Sequence, residues 1–186
     1  DDKKERSLFF DLKTITYTAQ FHMAENRSWK TSIGINGMRQ GNSNKGVEQL
    51  IPDYNLFDFG MYAYSQKTIK KITLSGGLRF DNRSINTENL LDGTTIKGEA
   101  FKKSFSNFSG SAGVAVQLTN RLNLKFNLAR GFRAPSIPEL ASNGAHEGTI
   151  RYEYGNKNLK SETSLQFDGG LDYNSEHLSI GLSAFF

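Results

Sequence analysis

Apolar and polar residues alternate with a period of two along most of this chain, and the clearest instance runs through residues 122–130. Leu122, Leu124, Phe126 and Leu128 alternate there with Asn123, Lys125, Asn127 and Ala129. Successive side chains of an extended chain leave opposite faces, so such a stretch has one apolar and one polar side. The alternation recurs at residues 15–23, 29–36, 57–64, 72–81, 107–118, 163–173 and 178–186. These stretches predict an all-β chain, an antiparallel up-and-down meander of about eight strands. Just before residue 15 the phase is reversed, with Leu8, Phe10 and Leu12 on the other parity. A bulge or a change of environment is therefore expected near Lys13.

The connections between these stretches alternate strictly between short and long. Short ones fall at 24–28, 67–70, 119–121 and 174–176, and long ones at 40–53, 82–103 and 133–161. In a meander every short turn then lies at one end and every long loop at the other, the asymmetry of a bacterial outer-membrane barrel. Each apolar face covers about nine to eleven residues, enough for a tilted strand to cross the hydrocarbon layer. Trp29, Tyr17 and Tyr173 are candidates for the interfacial aromatic girdles. The polar faces, built from Ser, Thr, Asn, Gln, Gly and a few charges, suit a wet lumen. Two other readings share the alternation: a small eight-stranded outer-membrane porin or anchor, and a soluble carbohydrate-binding β-sandwich.

Composition narrows the remaining classes. The longest run of apolar residues is 61–64, far short of the roughly 20 that a spanning helix needs. The charged opening, Asp1-Asp-Lys-Lys-Glu-Arg6, is no signal peptide, so the chain is expected to be mature, cytosolic or cut from a longer protein. With 23 basic and 19 acidic residues the net charge is only +4, and the cations form no stripe, which argues against nucleic acid as a partner. The absence of cysteine excludes disulfides, thiolate metal sites and cysteine nucleophiles.

Particular segments carry a family resemblance. Ala129-Arg-Gly-Phe-Arg-Ala-Pro-Ser136, Pro138-Glu-Leu140 and Gly155-Asn-Lys-Asn-Leu-Lys-Ser-Glu162, with Gly77-Leu-Arg-Phe-Asp81 and Phe105-Ser-Asn-Phe-Ser109 in support, resemble the β-barrel portion of TonB-dependent outer-membrane receptors, especially those of the Bacteroides group. Lys157 and Ser161 stand where the family often has proline. The resemblance implies a segment of a barrel of about 22 strands. It also implies a location in the bacterial outer membrane and active uptake of a siderophore, haem, cobalamin or glycan. The expected partners are outer-membrane lipid, the receptor's own plug domain and remaining barrel strands, TonB through the plug region, and an extracellular nutrient. Residues 1–186 are then one piece of barrel wall, with plug and TonB-contacting segment absent and Phe186 an internal position rather than a true C-terminus.

Candidate contact residues follow. Arg130 and Arg133, beside Pro135 and Pro138, are expected to reach into the lumen toward plug carboxylates or an anionic ligand, which a guanidinium fork suits. The structural alternative is a strand-end arginine bonded to its own loop. Ser136-Ile-Pro-Glu139 matches a capping box and predicts a short helical turn. His146, Glu147, Arg151, Tyr152 and Tyr154 crowd the longest loop as candidates for ligand contact, against a plain solvated loop. His146 and Glu147 are adjacent and point apart on an extended chain, so no metal site is expected. No enzymatic motif is present: Gly41 to Gly46 has phosphate-loop spacing, but Val47 stands where the lysine is needed. No cofactor is implied. Asp168 and Asp172 share a polar face and read as part of a wet wall beside Gln166 and Ser164.

Overall fold

The computed structural model describes residues 8–146 and 151–186. Eight long strands form one antiparallel sheet in the order β1-β2-β3-β4-β7-β8-β11-β12. They are β1 (Phe10–His22), β2 (Trp29–Asn44), β3 (Tyr54–Ile69), β4 (Ile72–Thr87), β7 (Lys102–Gln117), β8 (Leu122–Arg133), β11 (Glu162–Asn174) and β12 (Ser179–Phe185). Two small hairpins leave the meander: β5 (Leu90–Asp92) with β6 (Thr95–Gly98), and β9 (Asn143–His146) with β10 (Arg151–Tyr154). A single helical turn, α1 (Ile137–Ala141), follows β8. The sheet is open, with β1 and β12 at its edges, and the described residues supply no second sheet across it. Neither a closed eight-stranded barrel nor a sandwich describes this arrangement.

The register assigns every side chain to a face. Ala19, Ile35, Met61, Phe80 and Phe108 are cross-strand partners in one row. One residue away, Thr18, Asn36, Gly60, Asp81 and Asn107 form the corresponding row on the opposite face. The apolar face stays open to its surroundings, with Leu78, Ile15 and Leu165 at 73%, 70% and 70% exposure. A continuous apolar face of this extent calls for an apolar environment.

At the end that carries the long connections the polarity inverts. The row Lys13, Gly41, Asn55, Asn86 and Lys102 continues the apolar face upward but is polar throughout. On the other face Tyr54, Leu56, Ile85 and Phe105 become buried, covered by Ile137 and Leu140 of α1. This inversion is the change of environment expected near Lys13; the β1–β2 register runs without a shift, so no bulge is present there. It also explains why four strands reach 16 residues, roughly 50 Å, well beyond the apolar band. Strand ends expected at about 36 and 57, and at 81 and 107, lie instead at Asn44 and Tyr54, and at Thr87 and Lys102.

Close approach fixes the sheet in places. A Cβ on Gly37 would stand 2.0 Å from the Asp58 carbonyl oxygen and 2.3 Å from the Tyr17 hydroxyl. Tyr17 lies over this gap and donates to that carbonyl at 3.0 Å. At the short-turn end Arg27 and Ser28 have φ of 47° and 66°, the left-handed pair of a type I′ hairpin turn closed by mutual Asn26 and Trp29 backbone bonds.

Gly37→Ala is expected to destabilise the sheet by about 1–3 kcal/mol in urea unfolding, because the clash is with backbone. Ile85→Ala, which opens a cavity in the small core, should cost about 2–5 kcal/mol. Hydrogen exchange should show the second loss concentrated in residues 134–145 and 151–161, with the lower halves of β4 and β7 little changed.

Candidate functional site

The three long connections, residues 45–53, 88–101 and 134–161, meet at one end and bond to one another. The Asn143 amide donates to the Leu50 carbonyl at 3.0 Å, and its side-chain Nδ2 to the Lys97 carbonyl at 2.9 Å. The Leu91 amide donates to Gln49 Oε1 at 3.1 Å, and Lys157 pairs with Glu99 at 3.6 Å. Within the first connection, Asn44 ties the strand end to Asp53 Oδ1 through its backbone amide and its Nδ2, both at 2.7 Å. Within the second, the Asp92-Gly93 turn, with Gly93 at φ 59°, closes the β5–β6 hairpin. A cleft of about 320 Å³ opens among the loops, lined by Pro52, Lys97, Ser142, Tyr154 and Lys157.

Arg133 organises the third connection. Its Nη1 donates to both carboxylate oxygens of Glu139 at 2.9 and 2.8 Å, while Nε and Nη2 donate to Glu162 at 3.1 and 3.0 Å. One guanidinium thus joins the end of β8, α1 and the start of β11. Glu139 also receives the Ser136 amide at 2.8 Å, completing the capping box that starts α1. These bonds hold the Glu139 carboxyl down from its ordinary 4.5 to about 2, with Arg133 the largest cause and Ser136 next. Arg133 itself is raised by Glu139 and then Glu162. The structure therefore places Arg133 in its own loop.

Arg130 departs from the expected lumen position. Its partners across the ladder are Gly110 and Leu165, so it stands on the apolar face, three residues and one parity away from Arg133. The cause is simple periodicity: Arg130 is even-numbered, like Leu122, Leu124, Phe126 and Leu128. The β7–β8 ladder ends at this pair, although both strands continue. Arg130 Nη1 bridges to β7, donating to Asn107 Oδ1 at 3.0 Å and to the Phe108 carbonyl.

The remaining candidates lie on the β9–β10 hairpin, where Arg151 pairs with His146 and Tyr152 with Ala145. Tyr152 and Tyr154 pack with their rings tilted by 37° and centroids 4.6 Å apart, and the Tyr152 hydroxyl donates to Asn143 Oδ1 at 2.8 Å. Tyr154 is 77% exposed. Glu147 lies outside the described residues. The described residues contain no group of three or more His, Asp or Glu placed to hold a metal.

Sequence reasoning passed over the densest charge network. On the polar face Arg79 binds Asp81 through Nε at 2.8 and 2.7 Å and reaches Asn36 Oδ1 at 2.8 Å. Arg83 meets Asp58 in a two-pronged pair at 2.8 and 2.7 Å. A cleft of about 420 Å³ lies against these residues and Arg133. Further along, Asp168 accepts from Gln166 at 2.6 Å and Asn127 at 3.3 Å, and Lys125 pairs with Asp172. The signal was available: Arg79, Asp81 and Arg83 fall on one parity of one strand.

Arg133→Ala is expected to raise hydrogen exchange and protease cutting within residues 134–161, and Arg133→Lys to rescue poorly because a compact ammonium lacks the planar fork that makes four bonds to the two carboxylates. The pH dependence has a defined sign. A depressed carboxyl stabilises the fold above its unfolded value near 4.5 and loses that contribution as pH falls toward about 2. Loop protection should therefore hold from pH 7 to 5 and decay below about 4, with the decay absent in Glu139→Gln.

Comparison with known proteins agrees with this architecture. The family model described as TonB dependent receptor-like, beta-barrel, matches residues 4–186. A ferric enterobactin receptor of Pseudomonas aeruginosa is 33% identical over 88 residues, 42% of this chain and 12% of that protein. Among solved structures, the copper transporter OprC superposes with a TM-score of 0.76 at 19% identity, over 95% of this chain and 29% of that one. The Serratia marcescens hemophore receptor HasR, solved with its hemophore HasA and heme, gives 0.74 at 18% identity over 95% and 33%. The ferric-catecholate import receptor Fiu from K12 E. coli gives 0.67 at 17% identity over 96% and 31%. These structural likenesses show the shared barrel fold, of which the chain spans about a third. An eight-stranded meander with all long loops at one end, matched to the family model over nearly its full length, makes this chain a member of the TonB-dependent receptor β-barrel family.

Proposed function

We propose that this chain supplies a stretch of barrel wall, with three outer loops, to an outer-membrane receptor that takes up a nutrient using energy delivered through TonB. The family is one of receptors and transporters rather than enzymes. The observation that carries the reading is the inversion of polarity along the strands. The apolar band faces lipid, and above it the outward face is polar while the inward face packs against the loops. On this reading residues 1–186 are one piece of wall, and the plug domain, the remaining strands and the TonB-contacting segment belong to other parts of the protein.

Two surfaces have distinct roles in this reading. The lumenal patch of Asn36, Asp58, Arg79, Asp81 and Arg83 faces the plug. The plug-contact role expected of Arg130 and Arg133 passes to these residues, since Arg133 is engaged by Glu139 and Glu162 and Arg130 points outward. Arg151, Tyr152 and Tyr154 of the β9–β10 hairpin form the face that meets an extracellular ligand. Support comes from the exposed tyrosine pair and from the loop-to-loop bonds, which present it on a preorganised platform. The relatives handle ferric enterobactin, copper and a heme-loaded hemophore, and iron, haem, cobalamin or a glycan are the classes to test here.

The test uses the protein at its full encoded length. Binding of ferric catecholates, ferric hydroxamates, haem, cobalamin and oligosaccharides is screened by fluorescence quenching, followed by uptake in cells with and without TonB. One class should bind, its uptake should vanish without TonB, and the double variant Tyr152→Ala, Tyr154→Ala should weaken binding about tenfold or more at unchanged surface level. Uptake that persists without TonB would overturn the transport reading, and unchanged affinity in the double variant would remove the hairpin from the ligand site.

A further inference from the structure

The upper part of β7 is paired on one side only. In an antiparallel ladder alternate residues turn their N–H and C=O groups to opposite neighbours. The Thr87 amide donates to the Phe101 carbonyl and the Gln117 amide to the Lys71 carbonyl, so the odd-numbered residues of β7 bond to β4. The even-numbered ones turn toward β8, and the last of them to pair is Gly110, with Arg130. β8 then leaves the sheet at Arg133 for α1, while β7 runs on to Lys102 and stays paired with β4 up to there. The N–H and C=O groups of Lys102, Ser104, Ser106 and Phe108 thus line a sheet edge that no described strand covers. Arg130 Nη1 meets the first of them, the Phe108 carbonyl. The edge is about 20 Å long, enough for an added strand of about six residues.

This edge is reached from outside the barrel. Lys102, Ser104 and Ser106 are exposed and lie on the outward face, above the apolar band. The inward side is covered, since Phe105 is buried in the small core with Ile137 and Leu140 of α1. A segment that pairs here therefore comes from the extracellular side and not from the plug.

The charges around the edge select the segment. Lys102 and Lys103 stand on β7, Arg130 at the foot of the edge, and Lys160 in the stretch whose Leu159 carbonyl lies 3.5 Å from Lys103 Nζ. None of these four has a carboxylate partner among the described residues. The carboxylates nearby are already held: Glu139 and Glu162 by Arg133, Glu99 by Lys157, and Asp81, across the ladder from Asn107, by Arg79. Glu88 lies beyond Asn86, on the β4 side of β7. Basic residues along a free edge discourage chance pairing, and a second copy of the same edge would set like charges side by side. A strand that carries carboxylates meets the opposite condition.

We propose that the free edge of β7, residues 102–108, is a docking site for an extended acidic segment of a separate extracellular protein, which adds to the sheet as one more strand. Main-chain bonds to Ser104 and Ser106 supply the pairing, and Lys102, Lys103, Lys160 and Arg130 supply the preference for carboxylates. The outward placement of the site rests on the outer-membrane reading above.

The test uses the protein at its full encoded length in detergent micelles. The probes are a synthetic Thr-Glu-Val-Glu-Val-Thr peptide, the same peptide with lysine for glutamate, and the acidic peptide methylated on all its backbone nitrogens. Residue-resolved hydrogen exchange of the protein alone should find the amides of Ser104 and Ser106 fast and those of Phe105 and Asn107 slow, and the acidic peptide should slow the first pair. Its affinity, read by fluorescence anisotropy, should exceed that of the lysine peptide and fall about fivefold in Lys102→Glu, with little change in Lys102→Arg. Slow exchange at Ser104 and Ser106 in the protein alone would show the edge already covered and overturn the proposal. No binding of the acidic peptide, or equal binding of the lysine peptide, would overturn it too. Undiminished binding of the methylated peptide would reduce the contact to charge attraction and overturn the added strand. Binding to the purified protein but not to intact cells displaying it would leave the strand site standing and overturn the outward placement of the long loops.

Discussion

The antiparallel hydrogen-bond ladder governs this structure, because it is the main long-range framework of the described residues. One sheet, one residue thick, gives every strand side chain one of two directions, and along the apolar band the described residues supply no second layer to absorb a misfit. Each strand must therefore satisfy two environments at once, and a slip of one residue would exchange them along its whole length. Leu78 and Arg79 are neighbours in sequence; the first stands open between Ala63 and Gly110, and the second binds Asp81 and Asn36. The buried core is correspondingly small, and the ladder and the surrounding medium carry what a globular protein would entrust to packing.

That small core sits where it matters for function. Tyr54, Leu56, Ile85 and Phe105 hold Ile137 and Leu140 against the inward face, so α1 folds toward the lumen rather than away from it. Arg133 then fixes the turn by charge, and Asn143 joins the third loop to the other two. The loops form a single bonded surface, with the tyrosine pair displayed at its margin. A rim of this kind presents a ligand with a shape already set, and the lumenal ion pairs below it give a second, separately held surface.

Alternation made the number, order and faces of the strands legible in the sequence, because each apolar face meets one continuous environment. The strand ends were not legible. Above the band, Gln40, Asn42 and Asn44 continue β2, but polar residues on both parities read as loop. The β5–β6 hairpin lies inside the stretch that read as one long loop, 82–103, because its strands are too short to stand out by alternation. The capping box at Ser136 was readable because it is a local device, closed within four residues. The core that covers it joins residues far apart in sequence and left no local mark. Arg130 was different: its parity was visible, yet the resemblance of the surrounding motif drew attention to the lumen. Counting from Leu122 assigns it to the outer face.

The central claim is that neighbouring residues on these strands face lipid and water in turn, and that the order reverses above the band. Residues 1–186 contain no cysteine, so with any cysteine elsewhere in the protein replaced, single spin labels can be placed at chosen positions. The most direct measurement is the accessibility of labels at positions 77–81 and 164–168 to oxygen and to a water-soluble nickel chelate, with the full-length protein in lipid bilayers. Labels at 78, 80, 165 and 167 should favour oxygen and those at 79, 81, 166 and 168 the chelate, while labels at 13 and 102 should favour the chelate although they share the outer face. Accessibility that does not alternate, or that alternates with the opposite phase, would contradict the account.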